Sequence, residues 1–391
     1  MRHIALLLPG MRMGGAEKIC LNFLNYLTKE YKVTMILSTQ EGDLLSLVPD
    51  CVEIIEDRIL NFQEIVKNDI RKIQLKYLWK DFLYYFKVKT GHDSEKNYKY
   101  LVSRTRPREE HYDCAISYVA NVSTQIFCLA DRINADKKIA WIHGETTEIK
   151  DTILFSEYYQ RFDKIYAVSD ITRQHFIARF PQCEKKVEVY YNPIRKMEIL
   201  EKAAAKIPFK FDASVTNIVT VGRLSPEKGI DMIPEITRRL LEEGLKIHWF
   251  VIGDGTCMEE LIRVIEKKQL NHYITLTGNQ INPYPFIKQS DIYVQPSYEE
   301  GYSTTICEAG ILGKAIVGTT TAGGIREQIE DGVSGLLAEP TPRDIARQIG
   351  KLIKDGELRY SLEKQVRLRD YSNGNEFYKL KQVIEGDGNG N

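Results

Sequence analysis

Short, continuously apolar runs alternate with helix-period segments in this chain, fade near residue 190, and then start again. "HIALLLPG" is followed by the helical "GAEKICLNFLNYLTKE", and then by "KVTMILST", "YDCAISYV", the helical "NVSTQIFCLADRI", "KKIAWIHG" and "KIYAVS". Strands that are apolar on both faces belong in a parallel sheet covered by helices on both sides. The second set opens at "NIVTVGRL" and continues through "GIDMIPEITRRLLEEGL", "KIHWFVIGDG", "CMEELIRVIEKKQL", "YITLTG", "DIYVQPS", "TTICEAGILG" and "KAIVGTT". The expected fold class is therefore α/β, with two doubly wound domains in tandem. The first covers 1–192 and the second 193–371, with "NPIRKMEILEKAAAKIPFKFDAS" as the crossing segment. Ligands in such sheets sit at the carboxyl ends of strands, where the connections switch direction. Two such domains facing each other would leave a cleft. A last helix, about 372–386, precedes a Gly/Asn-rich end of the composition that stays disordered.

The 391 residues balance 54 basic against 54 acidic side chains, which argues against a dedicated nucleic-acid binder. Seven scattered cysteines form no Cys-x-x-Cys pair, which favours a reducing compartment over a disulfide framework or a zinc site. No apolar run reaches spanning length, so the expected location is the cytoplasm or the inner face of a membrane. One stretch stands apart. Residues 66–89 carry seven Lys or Arg against two Asp, interleaved with Trp79, Phe82, Tyr84, Tyr85 and Phe86. That composition suits an interfacial helix on an anionic membrane. An ordinary amphipathic helix with a solvated basic face is the other reading.

The chemistry concentrates in "SYEEGYSTTICEAG", residues 297–310. A strand ends near Ser297 and a helix begins near Ser303, so backbone N–H groups without helical partners are expected to face a ligand there. Gly301 lets the backbone come close, and Ser303, Thr304 and Thr305 add hydroxyls. Glu300 and Glu308 repel phosphate, so they must face something else. A carboxylate can accept two neighbouring sugar hydroxyls. A nucleotide-sugar, with a hexose and a ribose joined by a diphosphate, matches this layout. In "VTVGRLSPEKGID" a strand ends in Gly222, and Arg223 and Lys228 flank the following turn, two cations suited to a diphosphate. The alternatives are exposed glutamates with a helix cap, and a surface salt-bridge loop. "PGMRMGGAEK" opens a helix with Gly14 and Gly15 but lacks the lysine of a phosphate-binding P-loop. "GDGTCM", starting at Gly253, lacks the third glycine of a dinucleotide fingerprint. His143 ends a first-domain strand in "AWIHGE", where it would point to a phosphate or sugar oxygen or sit as a satisfied core histidine. Glu145 and Arg173 are weaker candidates.

These motifs, in this order, resemble the retaining GT-B glycosyltransferases, family 4 in particular. Glu300 and Glu308 have its E-x7-E spacing, "VGRLSPEKGID" its Arg and Lys motif, "TTAGGIREQIEDGVSGLL" its following segment, and "GGAEK" its first-domain glycine loop. The similarity is dense over about 217–340 and sparse over 1–200. The resemblance implies two Rossmann-like domains facing a cleft, with the C-terminal helix crossing back onto the first. It implies backbone contact from Gly15 near the donor phosphate, neutralisation by Arg223 and Lys228, and contact of Glu300 with the donor sugar. Backbone of Tyr302, Ser303, Thr304 and Thr305 would surround sugar and phosphate, Glu308 would hold the ribose, and backbone at Gly278 and Asn279 would meet the base. His143 matches the cleft histidine beside the donor sugar. Tyr302 and Ser303 depart from the Phe-Gly or Phe-Pro found in many members, which leaves the donor pocket's shape open. The implied activity is metal-independent transfer of a hexosyl unit, with retained configuration, from a UDP-linked donor to a saccharide. No resident cofactor is implied. The stretch 66–89 points to a polyprenyl-diphosphate-linked acceptor and a peripheral membrane contact, as in polysaccharide assembly. The alternatives are a nucleotide-sugar epimerase on the same scaffold and a non-catalytic sugar-nucleotide-binding subunit.

Overall fold

The computed structural model describes residues 1–12, 14–57, 108–120, 123–144, 157–321 and 323–386. The stretch 66–89, Glu145 and the end of the tail fall outside the described residues. Two compact units divide the chain: Met1–Val168 with Thr172–Tyr190 and Asn375–Asn391, and Ser169–Ile171 with Tyr191–Gly374.

The first unit holds a seven-stranded parallel sheet. Its strands are β1 (His3–Leu8), β2 (Lys32–Leu37), β3 (Glu53–Glu56), β4 (His111–Ser117), β5 (Asn134–Ile142), β6 (Lys164–Ala167) and β7 (Val187–Val189), in the spatial order β3-β2-β1-β4-β5-β6-β7. β1 is central, with Ile4 paired to Val33 on one side and to Cys114 on the other. That position requires the run of apolar residues from Ile4 to Leu8, all fully buried. Helices α1 (Gly15–Leu27), α2 (Ser123–Asp131) and α3 (Asp170–Arg179) follow β1, β4 and β6.

The second unit begins with α4 (Lys196–Lys202) and then builds a six-stranded parallel sheet. In chain order it runs β8 (Thr216–Val221), α5 (Ile233–Glu242), β9 (Ile247–Ile252), α6 (Met258–Lys267), β10 (Ile274–Leu276), α7 (Tyr284–Gln289), β11 (Ile292–Gln295), α8 (Thr304–Ile311), β12 (Ala315–Thr319), α9 (Gly323–Gln328), β13 (Leu336–Ala338), α10 (Pro342–Lys354) and α11 (Gly356–Leu368). The strand order is β10-β9-β8-β11-β12-β13. Ile218 of β8 pairs with Trp249 on one side and Ile292 on the other. The chain leaves β8 in one direction and returns to β11 on its opposite side. That reversal parts the loops after β8 and β11, the place where α/β sheets bind ligands.

The last helix, α12 (Glu376–Glu385), belongs to the first unit. Phe377 stacks on Tyr26 and Phe23 of α1, and Lys381 pairs with Glu30 at 2.7 Å. Three strands go beyond those expected from sequence: β3, β7 and β13. Each is a sheet edge of three or four residues, too short to show a pattern, and "EIIE" and "VEV" carry charges suited to an edge. The crossing segment also contains a helix, α4, with Ile199 as its buried residue. Among the described residues no helix is long and apolar enough to cross a membrane.

Two glycines let the loops of the second sheet touch backbone to backbone. A Cβ on Gly229, at φ +62°, would lie 2.1 Å from the Pro296 carbonyl oxygen. One on Gly324 would lie 2.0 Å from the Gly301 carbonyl oxygen. At Gly222 a Cβ would meet nothing within 4 Å. Gly229→Ala is therefore expected to lower folding stability by about 2–4 kcal/mol, and Gly222→Ala by less than about 1 kcal/mol, in chemical denaturation.

Candidate functional site

Gly222 extends the β8 ladder by one bond, its N–H to the Ile252 carbonyl at 3.0 Å, and Arg223 then emerges exposed. A 3₁₀ turn, Pro226–Lys228, follows, and Gly229 closes it in the left-handed region. The turn is fastened to the next loop, since the Tyr298 N–H donates to the Glu227 carbonyl at 2.9 Å. This brings Lys228 to Glu300, with Nζ 2.8 Å from Oε2 and only 21% and 13% of the two side chains exposed. The same carboxylate oxygen receives the Ser297 hydroxyl at 3.4 Å, and Ser297 in turn accepts from the Gln295 amide at 2.8 Å. The sequence placed this lysine on a phosphate and this glutamate on a sugar. The structure joins them as an ion pair whose shielding makes it stronger than a surface pair and costlier to leave half-made.

Helix α8 starts at Thr304 under a Ser303 cap, whose hydroxyl accepts the Ile306 N–H at 3.2 Å. Gln328 of α9 holds the cap on both sides: its Oε1 accepts the Ser303 N–H at 2.9 Å and its Nε2 donates to the Ser303 carbonyl at 2.7 Å. Thr305 donates to Gln295 at 3.0 Å. The Thr304 and Thr305 amides, first in the helix, have no partners within it and carry the positive end of its dipole. Glu308, one turn further, is 9% exposed and accepts from the Tyr284 hydroxyl at 3.5 Å. Burial, and then the charge of Glu308, hold the Tyr284 phenol above its usual range, so it stays a donor. Burial does the same for Tyr302.

The ends of β9 and β10 complete this side of the sheet. The Gly253 N–H donates to the Gly278 carbonyl at 2.9 Å, and Asn279 follows in an exposed loop. Thus Gly222, Arg223, Lys228, Gly253, Asn279, Glu300, Gly301, Tyr302, Ser303, Thr304, Thr305 and Glu308 all lie on or next to loops at the carboxyl edge of one sheet. Gln295, Ser297, Gln328 and Tyr284 support them and escaped the sequence reading. Single Gln, Ser and Tyr residues far apart in sequence give no pattern, and only the fold makes them neighbours.

Gly15 and His143 belong to the first unit, at the start of α1 and just after β5. A Cβ on Gly15 would meet nothing within 4 Å. The His143 ring lies 4.7 Å from that of Tyr118, and among the described residues its buried Nε2 has no partner. Burial lowers its pKa from 6.5 to about 4, against the opposing hydrogen bond to the Tyr118 backbone. Its imidazole is thus neutral at pH 7. Arg173 is half-buried on α3.

Residues 204–369 match the family model described as "Glycosyl transferases group 1". A Campylobacter jejuni protein, N-acetylgalactosamine-N,N'-diacetylbacillosaminyl-diphospho-undecaprenol 4-alpha-N-acetylgalactosaminyltransferase, is 25% identical over 379 residues, covering 94% of this chain and 95% of that one. Among solved structures, Anabaena HepE in complex with UDP and glucose superposes with a TM-score of 0.72 at 15% identity, covering 99% of this chain and 100% of that one. A glycosyltransferase from Rickettsia africae also reaches 0.72, at 16% identity and 99% of both chains. The fold is that of the GT-B glycosyltransferases, and the matches support a glycosyltransferase of group 1.

One titration follows from the geometry. The His143 ring should keep the chemical shifts of neutral imidazole as pH falls, changing only near 4, whereas an ordinary histidine changes near 6.5. Between those values the unfolded chain binds the extra proton, so this residue's contribution lowers stability as pH drops from 6.5 towards 4 and is nil above.

Proposed function

We propose that this protein transfers a hexosyl unit from a UDP-linked sugar to a lipid-linked saccharide, with retained anomeric configuration, in the assembly of a polysaccharide. The observation that carries the reading is the Lys228–Glu300 pair, held at 2.8 Å beside an exposed Arg223 on the loops where the strand order reverses. A diphosphate needs cations and free N–H groups, and these loops offer Arg223, Lys228 and the first amides of α8. A sugar needs carboxylates for its hydroxyls, and Glu300 and Glu308 supply two on these loops. The name of the Campylobacter relative contains a diphospho-undecaprenol acceptor, and HepE was crystallised with UDP, which favours this donor and this acceptor class.

In this reading Lys228 stands between two anions. Donor binding places a phosphate oxygen near the ammonium, which then shares its hydrogens between phosphate and Glu300. Glu300, partly released, accepts a hydroxyl of the hexose. As the bond from the anomeric carbon to the diphosphate breaks, negative charge grows on the leaving oxygen. Arg223, Lys228 and the helix dipole are already aimed at it and need no reorganisation. The acceptor hydroxyl attacks from the same face, and its proton passes to the leaving phosphate. Positive charge comes from the chain's own residues, so no metal ion is assigned a role. His143, neutral in its buried setting, is suited to hydrogen bonding and not to charge neutralisation.

The tests separate the parts. Lys228→Ala should weaken UDP binding by about 10- to 100-fold, the worth of one charge-assisted bond, in calorimetry. Glu308→Ala should weaken UDP binding about tenfold and leave inorganic pyrophosphate binding unchanged, because pyrophosphate has no ribose. Glu300→Gln should reduce turnover more than tenfold at temperatures where the variant is still folded, and should lower the unfolding midpoint because Lys228 loses its partner. A product of inverted configuration by NMR would overturn retention. An epimer formed from the donor alone would replace transfer by epimerisation.

A further inference from the structure

The loop that carries Glu300 is fastened at its other end by a network that includes neither the ion pair nor the helix amides. Tyr302 Oη accepts a hydrogen bond from Asn373 Nδ2 at 3.1 Å and from the Cys307 thiol at 3.7 Å. Cys307 Sγ accepts from Gln328 Nε2 at 3.1 Å, the same amide that holds the Ser303 carbonyl. Asn373 Nδ2 also donates to the Asn192 carbonyl at 2.9 Å. Next to these, the Ile194 N–H donates to the Ser372 carbonyl at 2.7 Å. The Tyr302 and Tyr191 rings lie 5.2 Å apart.

The placement of Asn373 is unusual in two respects. Its φ is +50°, a left-handed conformation that Asn tolerates better than most residues. It also lies beside 374/375, one of the four points where the chain passes from one compact unit to the other, and its partner Asn192 lies beside another, 190/191. One primary amide therefore joins the chain segments beside two of these passages to the loop bearing Glu300.

We propose that Tyr302 is a positioning residue: through the Asn373 amide it fixes the Glu300–Ser303 loop and ties its placement to the chain segments beside 190/191 and 374/375. Its hydroxyl is engaged by Asn373 and Cys307, and its effect on the reaction runs through Glu300, two residues earlier. The kinetic part rests on the nucleotide-sugar reading, while the fixing of the loop can be measured without a ligand.

Two variants test this in the full chain: Tyr302→Phe, which removes only the hydroxyl, and Asn373→Gly, which removes the amide and suits the left-handed backbone. Hydrogen exchange without ligand should be about threefold or more faster over 297–305 in each variant, and unchanged over β12. The double variant should exchange more slowly than the product of the two single effects, because both remove the Tyr302–Asn373 bond. With UDP-glucose as the probe and water as the acceptor, Tyr302→Phe should form UDP and glucose about fivefold more slowly at saturation, with the UDP Kd within twofold of the wild type. Unchanged exchange over 297–305 in both variants overturns the proposal whatever the kinetics do, as do additive effects in the double variant. Faster exchange with an unchanged saturating rate also overturns the positioning role. A wild-type protein that binds no UDP sinks the nucleotide-sugar reading, and the exchange data still decide whether Tyr302 fixes the loop.

Discussion

Direct contact between backbones underlies the arrangement at the second sheet's carboxyl edge. Gly229 presses the cation loop against Pro296, and Gly324 presses the start of α9 against Gly301. No side chain fits between these segments. Because they touch, a lysine after β8 and a glutamate after β11 come within hydrogen-bond distance although 72 residues separate them. The interior of the sheet would tolerate many apolar substitutions of similar volume. These two contacts would not, because a carbonyl oxygen cannot move without the backbone of its loop.

The charges are arranged with the same economy. Arg223 is exposed and takes part in no ion pair among the described residues, so it is available to an incoming anion. Lys228 is held in reserve by Glu300, and Glu308 sits under the Tyr284 hydroxyl, nearly out of water. On the proposed reading, an acid kept this way would meet a hydroxyl-rich ligand without being swamped by solvent; a paired lysine avoids the penalty of an unpaired buried cation.

Both parallel sheets were legible in the sequence because central strands such as β1 and β8 are apolar on both faces. The cap at Ser303 and the helix after it were legible for a similar reason, since strand, Gly, hydroxyl residues and helix period follow in order. The edges were not: "EIIE", "VEV" and "LLA" are too short for periodicity to register. The residue types of the site were readable, but their pairings were not. Lys228 and Glu300 read as separate ligands of separate groups, and nothing in either motif signals that they bind each other. The Tyr302 departure raised a question about pocket shape. The structure instead shows its hydroxyl bonded to Asn373, 71 residues away in sequence. Gln328 was invisible for the same reason: a glutamine inside a helix has no pattern until the fold brings Ser303 to it.

The strand order β10-β9-β8-β11-β12-β13 divides the carboxyl edge into two wings around β8. On the proposed reading, loops after β9 and β10 meet the nucleoside base, and the loop after β11 meets the hexose. The diphosphate between them rests over the central strand. Each wing hangs on its own strands and its own turn chemistry. Substitutions around Asn279 could therefore change which base is accepted while hexose choice is kept, and changes at 298–303 could do the reverse. On that reading, such a scaffold could change its donor one half at a time.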